Sequence, residues 1–281
     1  MSALHKDSAS GTEFLLRRGD PTKCLVMLHG IGSNAHSFDR LVDCLPPDWT
    51  VLSWNAPGYG LSEPVAGTAP SVRDYADRLR ALVRELDIRR LSLVGHSLGT
   101  LIAGEFAYLF PELVSELVLI SCAQGYGMKP GEPLPDKAAA RLHALDEMGS
   151  QAFAQQRAPR LLFDPEAQPE VRAEAVAAMA AINPGGYAQA VHMLAAGNLS
   201  HRMRAVQAPC LVMVGSQDRI TPPQQSRLVV EALEAGGITT SCYREIAGAG
   251  HLAHQEKPKL VAAEIRDFVR FRHSAFEEVQ R

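Results

Sequence analysis

The 281-residue sequence has no apolar run close to the roughly 18 residues that a membrane-spanning helix requires. It also lacks a large excess of either charge: 28 basic and 31 acidic side chains leave a net charge of −3, which argues against the basic surface of a nucleic-acid-binding domain. The first seven residues are polar and no apolar segment follows them, so the sequence predicts no signal peptide. With 46% hydrophobic and 21% charged residues, the composition is typical of a globular protein. Because the chain has neither a long apolar run nor a basic excess, we expect no membrane partner and no nucleic-acid partner.

Cysteine is sparse, and its five positions favour neither a disulfide framework nor a zinc site. The count is odd, no C-x-x-C pair occurs, and three of the thiols fall in apolar segments, where a thiol is a small buried hydrophobe. We therefore expect a reducing, cytoplasmic location. His36, His143 and His201 show no ligand spacing, and no Walker A or G-x-G-x-x-G loop is present, so the sequence predicts neither a metal nor a cofactor.

Short apolar runs alternate with helical patterns in the first half of the chain. An amphipathic pattern from Ser71 to Asp87 predicts a helix with Ser71 as its N-cap, and residues 98–110 predict a helix that is buried on all sides. Strands alternating with helices in this way indicate an α/β protein with a doubly wound, mostly parallel sheet. The four strand-length runs, which suit strands covered on both faces, are residues 24–28, 50–54, 91–94 and 117–120.

The alternation stops between residues 123 and 206, a segment that is helical in pattern and rich in alanine. An apolar run at 210–214 then restores the strand pattern, and further strand–helix units follow. A helical block inserted in a βα series is most simply a cap between two strands. The sequence therefore predicts a core of residues 1–122 and 207–281 with a helical cap at 123–206.

The strongest motif is a G-x-S-x-G match at Gly95-His96-Ser97-Leu98-Gly99, which follows a predicted strand and precedes the buried helix. At such a turn the glycines relieve backbone crowding and raise the serine hydroxyl above the sheet. The helix N-terminus behind it offers N–H groups to developing negative charge. Ser97 is thus the predicted nucleophile.

A serine needs a base to take its proton and an acid to orient that base. Asp218 follows a predicted strand, and His251 follows the next strand-like run, in Gly248-Ala249-Gly250-His251. Both lie in loops at the carboxyl edge of the sheet, where open α/β sheets form their sites. His254 is a rival base, but the Gly-x-Gly before His251 favours His251.

Tetrahedral intermediates need two backbone donors aimed at the oxyanion. One predicted donor is the N–H of Leu98, directly after the nucleophile. The other comes from the Leu28-His29-Gly30-Ile31-Gly32-Ser33 loop, with Ile31 as the first choice and Gly32 as the alternative. His29 is predicted to fix this loop rather than to act as a base.

These motifs together resemble those of the α/β-hydrolase superfamily, and the resemblance covers nearly the whole chain. One departure is Asn55, where the family usually has aspartate at a structural position. A serine at position 97 argues against the dehalogenase and epoxide hydrolase branches, which need a carboxylate there. The motifs that carry the resemblance are the H-G loop, P-G-x-G-x-S at 57–62, G-H-S-x-G, G-x-x-D at 215–218 and the late G-H at 250–251.

Within the superfamily, residues 157–163 and 183–188 look like the cap of 3-oxoadipate enol-lactonases. The C–C hydrolases of meta-cleavage products are also similar, but His96 replaces their usual asparagine and Val176 stands where they have an arginine that grips the substrate carboxylate. Pro57 likewise differs from the arginine common in enol-lactonases.

The resemblance implies an α/β-hydrolase fold and a serine hydrolase that acts on a small carboxylic ester or (enol-)lactone through an acyl-enzyme. C–C hydrolysis of a ring-cleavage product, a cofactor-free dioxygenase activity and a non-catalytic receptor stay open as alternatives. The expected partner is a small-molecule substrate, and association of the chain with itself also stays open. Besides Ser97, Asp218 and His251, the candidate substrate contacts are Gly32, His96, Arg160 and His192.

Overall fold

The fold is an eight-stranded sheet covered by helices on both faces. The computed structural model describes residues 4–129 and 131–279, with side chains up to residue 269. The first three and last two residues of the predicted core, and Pro130 in the predicted cap, therefore lie outside the described residues. The strands, in chain order, are β1 (His5–Ala9), β2 (Thr12–Arg17), β3 (Asp20–Leu28), β4 (Trp49–Trp54), β5 (Leu91–His96), β6 (Val114–Ile120), β7 (Cys210–Gly215) and β8 (Cys242–Ile246).

The spatial order of the strands is β1-β2-β4-β3-β5-β6-β7-β8. The six strands from β4 to β8 in this spatial order, which include β3, pair in parallel. In contrast, β1 and β2 form a hairpin, and β2 pairs antiparallel with β4. The chain first winds outward from β3 to β4 and then crosses to β5 on the other side of β3, so the strand order reverses there. This confirms the predicted doubly wound, mostly parallel sheet.

The continuous apolar runs are explained by burial on both faces. In β3, Leu25 and Met27 belong to one core cluster, while Val26 and Leu28 belong to the other, on the opposite face of the sheet. Every residue from Leu98 to Ala107 is buried, which confirms the central helix.

The described residues form ten α-helices. The N-cap predicted at Ser71 is confirmed, since the Ser71 N–H and hydroxyl both donate to Asp74 Oδ2 over 2.7 Å. The helices are α1 (Asp39–Val42), α2 (Val72–Glu85), α3 (Leu98–Leu109), α4 (Asp136–Arg157), α5 (Pro169–Ala180), α6 (Pro184–Ala196), α7 (Leu199–Met203), α8 (Pro223–Ala235), α9 (Ala253–Glu256) and α10 (Pro258–Val279). Short 3₁₀ helices lie at Ala35–Phe38, Pro111–Leu113 and Ala158–Leu161.

Helices α4 to α7 follow β6 and precede β7, in the segment predicted as a cap. We call residues 123–206 the helical insertion. Its described residues contain no strand, and α7 packs against α3 of the core. The limits of a separate cap domain therefore stay a prediction.

The five cysteines are free, and Cys24, Cys122 and Cys210 are buried, as the apolar sequence around them indicates. Burial raises the pKa of Cys24 and of Cys122 to about 12, so these thiols stay protonated at neutral pH. Among the described helices, none combines the length and the apolar composition needed to cross a membrane.

Candidate active site

Ser97 lies at a strained turn between β5 and α3. Its φ is 51° and its ψ is −114°, a conformation that residues with a Cβ rarely adopt. The flanking glycines are required by space: a Cβ on Gly99 would lie 2.2 Å from the Leu28 oxygen, and one on Gly95 would lie 2.5 Å from the Gly99 oxygen. The Ser97 N–H donates to the Ile120 oxygen over 2.9 Å, which ties the turn to β6. The backbone of β3, at Leu28, and that of β6, at Ile120, thus hold the strained turn in its conformation.

Asp218 and His251 meet at the carboxyl edge of the sheet, as their loops after β7 and β8 predict. Asp218 Oδ2 lies 2.9 Å from His251 Nδ1, and both side chains are buried. Asp218 Oδ1 also accepts from the N–H groups of Ile220 and Thr221, over 2.8 and 2.9 Å. Burial by itself would raise the pKa of Asp218, but the His251 ring and these donors outweigh it and hold the pKa below its usual value.

The Thr221 hydroxyl is a further contact that the sequence analysis did not single out. It donates to Asp218 Oδ2 over 2.9 Å and lies 3.1 Å from His251 Nδ1. The signal for it was present, because a threonine three residues after an aspartate is well placed to meet that carboxylate in a turn. With its Nδ1 proton directed at Asp218, His251 keeps the lone pair of Nε2 for a second partner.

The two predicted oxyanion donors line one cavity with Ser97 and His251. Leu98 is the first residue of α3, and the first N–H groups of a helix have no acceptor within it. In the other loop, the Gly32 N–H donates to the Tyr59 hydroxyl over 3.2 Å, which favours Ile31 over Gly32 as the donor.

His29 is buried beneath this loop. Its Nε2 accepts from the Ala56 N–H over 3.0 Å, so its Nδ1 carries the proton and donates to the Gly30 oxygen over 2.8 Å. Burial lowers the pKa of His29 to about 4, and the ring is therefore neutral. These two hydrogen bonds hold the loop that contains Ile31 next to the loop that follows β4.

Three histidine rings, those of His251, His96 and His254, pack in tilted arrangements at the base of the site. His254, the rival base, is fully buried between Phe38 and His96, with ring centroids 5.0 and 4.3 Å away. Among the described residues, neither of its ring nitrogens has a hydrogen-bond partner, and burial lowers its pKa to about 3. His96 lines the cavity, and its Nε2–H donates to the His251 carbonyl oxygen over 2.9 Å. The geometry therefore favours His251 as the base and gives His96 a contact to its backbone.

The His251 loop is also tied to the helical insertion. The His251 N–H donates to the Leu161 oxygen over 2.7 Å. The buried Glu256 side chain accepts from the N–H groups of Gly250 and Phe163, over 2.8 and 2.9 Å, and so joins the core loop to the insertion. A change in the position of residues 161–163 would thus be transmitted to His251.

The cavity that contains Ser97 has a volume of about 390 Å³ and lies between the sheet edge and the insertion. The predicted contacts Gly32, His96 and Arg160 line it. A larger cavity of about 650 Å³ lies at the opposite edge of the sheet, beside Cys24 and Thr50, and contains none of the predicted site residues. We assign the site to the smaller cavity because it contains the reactive groups.

His192 is the exception among the predicted contacts, because it does not line this cavity. Tyr187 and Leu194 of α6 do line it, and they lie two helical turns apart on one face. His192 comes five residues after Tyr187 and is therefore rotated from it by about 140° around the helix. The geometry of this cavity therefore does not support a substrate contact by His192, which stays a prediction.

Asn55, the departure from the family pattern, braces loops beside the site. Its Oδ1 accepts from the Ala35 N–H over 2.8 Å, and its Nδ2 donates to Glu13 Oε2 over 2.5 Å. The buried Glu13 also pairs with Lys6. An amide suits this position, since an aspartate would place a second carboxylate against Glu13.

The family model described as the alpha/beta hydrolase family matches residues 25–264. The chain belongs to this family. A provisionally named carbamate hydrolase, RutD, of Pseudomonas syringae is 28% identical over 261 residues, which are 87% of this chain and 93% of that protein. A serine hydrolase-like protein of Danio rerio is 37% identical over 115 residues, but these are 41% of this chain and only 33% of that protein.

Solved structures share the fold over almost the full length of this family member. An enol-lactonase from Burkholderia xenovorans LB400 matches with a TM-score of 0.82 and 22% identity, covering 95% of this chain and all of that one. An esterase from Thermogutta terrifontis matches with a TM-score of 0.80 and 23% identity, covering 96% of this chain and 98% of that one. At such identities the likeness shows the fold alone.

Proposed function

We propose that the chain is a serine hydrolase that acts on a small carboxylic ester or (enol-)lactone, with Ser97, His251 and Asp218 as its catalytic triad. The observation that carries the proposal is the 2.9 Å contact between Asp218 and His251, because His251 lines the same cavity as the strained Ser97. An oriented imidazole that lines the same cavity as a serine at a strained turn is the arrangement that activates a hydroxyl. Membership in a hydrolase family supports the same chemistry.

In the first half of the reaction, His251 Nε2 takes the proton of Ser97 Oγ as Oγ bonds to the carbonyl carbon. The carbonyl electron pair moves onto its oxygen, where the N–H groups of Leu98 and Ile31 stabilise it. When that pair returns, the carbon–oxygen bond of the ester or lactone breaks, and the leaving oxygen takes the proton from His251. An acyl-enzyme on Ser97 remains.

In the second half, His251 takes a proton from water as the water oxygen bonds to the acyl carbon. The second tetrahedral intermediate uses the same two N–H groups, and its collapse returns the proton to Ser97 and releases the acid. Asp218 stabilises the imidazolium in both halves and keeps the Nδ1 proton in place. The volume of about 390 Å³ suits a small acyl group rather than a long lipid chain.

The test is a comparison of kcat/KM across five substrate types: short aryl esters, lactones, aryl carbamates, a dienone acid and long-chain triglycerides. We expect esters and lactones to be hydrolysed, with long-chain triglycerides much slower. The carbamate is included because the Pseudomonas syringae relative bears that name. If the dienone acid exceeds the others by more than about tenfold, the enzyme is a C–C hydrolase and the ester assignment is wrong. No turnover of any substrate would contradict the proposal altogether.

A further inference from the structure

Four cationic side chains line the cavity that contains Ser97. They are Lys137, Arg141, Arg157 and Arg160, and all four belong to the helical insertion. Among the described residues that line this cavity, none is aspartate or glutamate. The cavity thus carries a concentrated positive charge on the wall that faces the catalytic groups.

The cluster depends on a break in α4. In a straight helix Arg141 and Arg157, sixteen positions apart, would be separated by about 24 Å. Gly149 interrupts the helix with a φ of 72° and a ψ of 164°, so the two halves turn relative to each other. Both arginines then line a single cavity of about 390 Å³. The break has the effect of bringing distant cations to one site.

The four cations are not neutralised by the protein. Within the described part of the chain, none of them forms an ion pair with a carboxylate. The Arg157 guanidinium is held 5.0 Å from the centroid of the Phe153 ring. Burial lowers the pKa of Arg157, and the nearby charges of Arg141 and Arg160 lower it further. Such repulsion in a partly enclosed cavity is relieved when an anion binds.

We propose that the substrate of this site carries at least two anionic groups, carboxylates or phosphates, which these four side chains bind. A single carboxylate is fully satisfied by one or two guanidinium groups, so four cations exceed what one such group requires. The inference rests on the proposed function for the position of the reacting carbonyl.

The arrangement also fixes which part of the substrate is charged. The triad and the oxyanion donors belong to the core, whereas the cations belong to the insertion. The scissile carbonyl of the substrate therefore lies at the core wall of the cavity, and the anionic groups lie at the other end of the substrate, toward the insertion. Neutral short esters would fit the catalytic groups but would leave the cations without a partner.

The test measures binding apart from turnover. The Ser97→Ala protein is titrated calorimetrically with propane-1,2,3-tricarboxylate, glutarate, butyrate and the neutral glutaramide, and separately with pyrophosphate. We expect affinity to rise with each added anionic group, to fall at high salt, and to be absent for glutaramide. Whichever of the tricarboxylate and pyrophosphate binds more tightly identifies the anionic group as carboxylate or phosphate.

Two substitutions provide the matched comparison. Arg141→Gln removes a cavity cation, whereas Arg204→Gln removes an exposed cation that lies outside the cavity. In the Ser97→Ala background, Arg141→Gln is expected to weaken tricarboxylate binding about tenfold, and Arg204→Gln to leave it unchanged. Thermal unfolding of both proteins checks that the fold is retained.

Two results would overturn the inference: glutaramide binding as tightly as glutarate, or equal effects of the two arginine substitutions. Hydrolysis of a neutral aryl ester by the unmodified enzyme is measured in parallel. Hydrolysis without anion binding contradicts this inference alone. Anion binding without hydrolysis of this ester or of any other substrate named under the proposed function contradicts that function and leaves the anion site in place.

Discussion

Replacing His254 by leucine is expected to make the fold less sensitive to acid while leaving catalysis intact. His254 is fully buried against the rings of Phe38 and His96 and lies outside the cavity. Leucine has a similar volume and removes two buried nitrogens that lack partners among the described residues. The substitution therefore changes the titration of the core and spares the groups around Ser97.

The magnitude follows from the pKa of His254, which burial lowers from 6.5 to about 3. Below its ordinary pKa of 6.5 the unfolded chain binds a proton here that the folded chain does not bind. As the pH decreases below 6.5, the free energy of unfolding therefore decreases by about 1.4 kcal/mol per pH unit, until the pH reaches the pKa of His254 in the folded protein. Between about pH 7 and about pH 5 this histidine accounts for a loss of about 2 kcal/mol.

The assay is urea denaturation of both proteins at about pH 7 and about pH 5, with kcat measured on an aryl ester at about pH 7. The loss of unfolding free energy on acidification should be about 2 kcal/mol smaller in His254→Leu than in the unmodified protein. His29, whose pKa is about 4, keeps its own contribution in both. Equal losses in the two proteins would refute the argument from burial. An inactive but folded variant would contradict the expectation that His254 takes no part in catalysis.

Three further substitutions test individual parts of the site. Asp218→Asn should fold normally but lower kcat by roughly 10³–10⁴. The reason is that an amide cannot accept from all the donors around the carboxylate, so His251 loses its oriented tautomer. Steady-state kinetics measure the loss of kcat, and circular dichroism checks the fold. Thr221→Val removes the hydroxyl between Asp218 and His251 and should lower kcat about tenfold with little change in KM; a KM effect alone would contradict a positioning role. Gly149→Ala places a Cβ at a φ of 72° and a ψ of 164°, a conformation open essentially to glycine alone, and should reduce stability by roughly 1–3 kcal/mol. If the break in α4 brings the cations together, Gly149→Ala should also weaken tricarboxylate binding, measured by calorimetry.

The central parallel strands could be predicted because they contain apolar runs covered on both faces, whereas the edge strand β8 contains the exposed residues Arg244 and Glu245. The hairpin of β1 and β2 was missed, and the reason lies in its side chains. All five residues of β1 are polar or small and four are exposed, while β2 contains Glu13 and Arg17, charged residues that are buried. Their burial depends on distant partners, such as Lys6 and Asn55 for Glu13. The Ser-Gly turn at positions 10 and 11, with both residues at positive φ, was the available signal.

Residues of the candidate site could be predicted where a local motif follows a strand, as at Ser97 and Asp218. The wall formed by the insertion could not be predicted in the same way. Arg141 and Arg157 line the cavity from opposite sides of the break at Gly149, and no pattern in an alanine-rich segment specifies the angle of that break. The sequence also could not show that His192 lies outside this lining, since the face that α6 turns to the cavity depends on packing that the sequence does not reveal.

The central claim, that His251 and Asp218 activate Ser97 as a nucleophile, is tested most directly by intact-mass spectrometry after treatment with a fluorophosphonate. An activated serine attacks the electrophilic phosphorus, and fluoride leaves. The account predicts one adduct per chain, located on Ser97, with loss of turnover in proportion to labelling, and no adduct on Ser97→Ala. Active protein that acquires no adduct, or that is labelled at a residue other than Ser97, would contradict it.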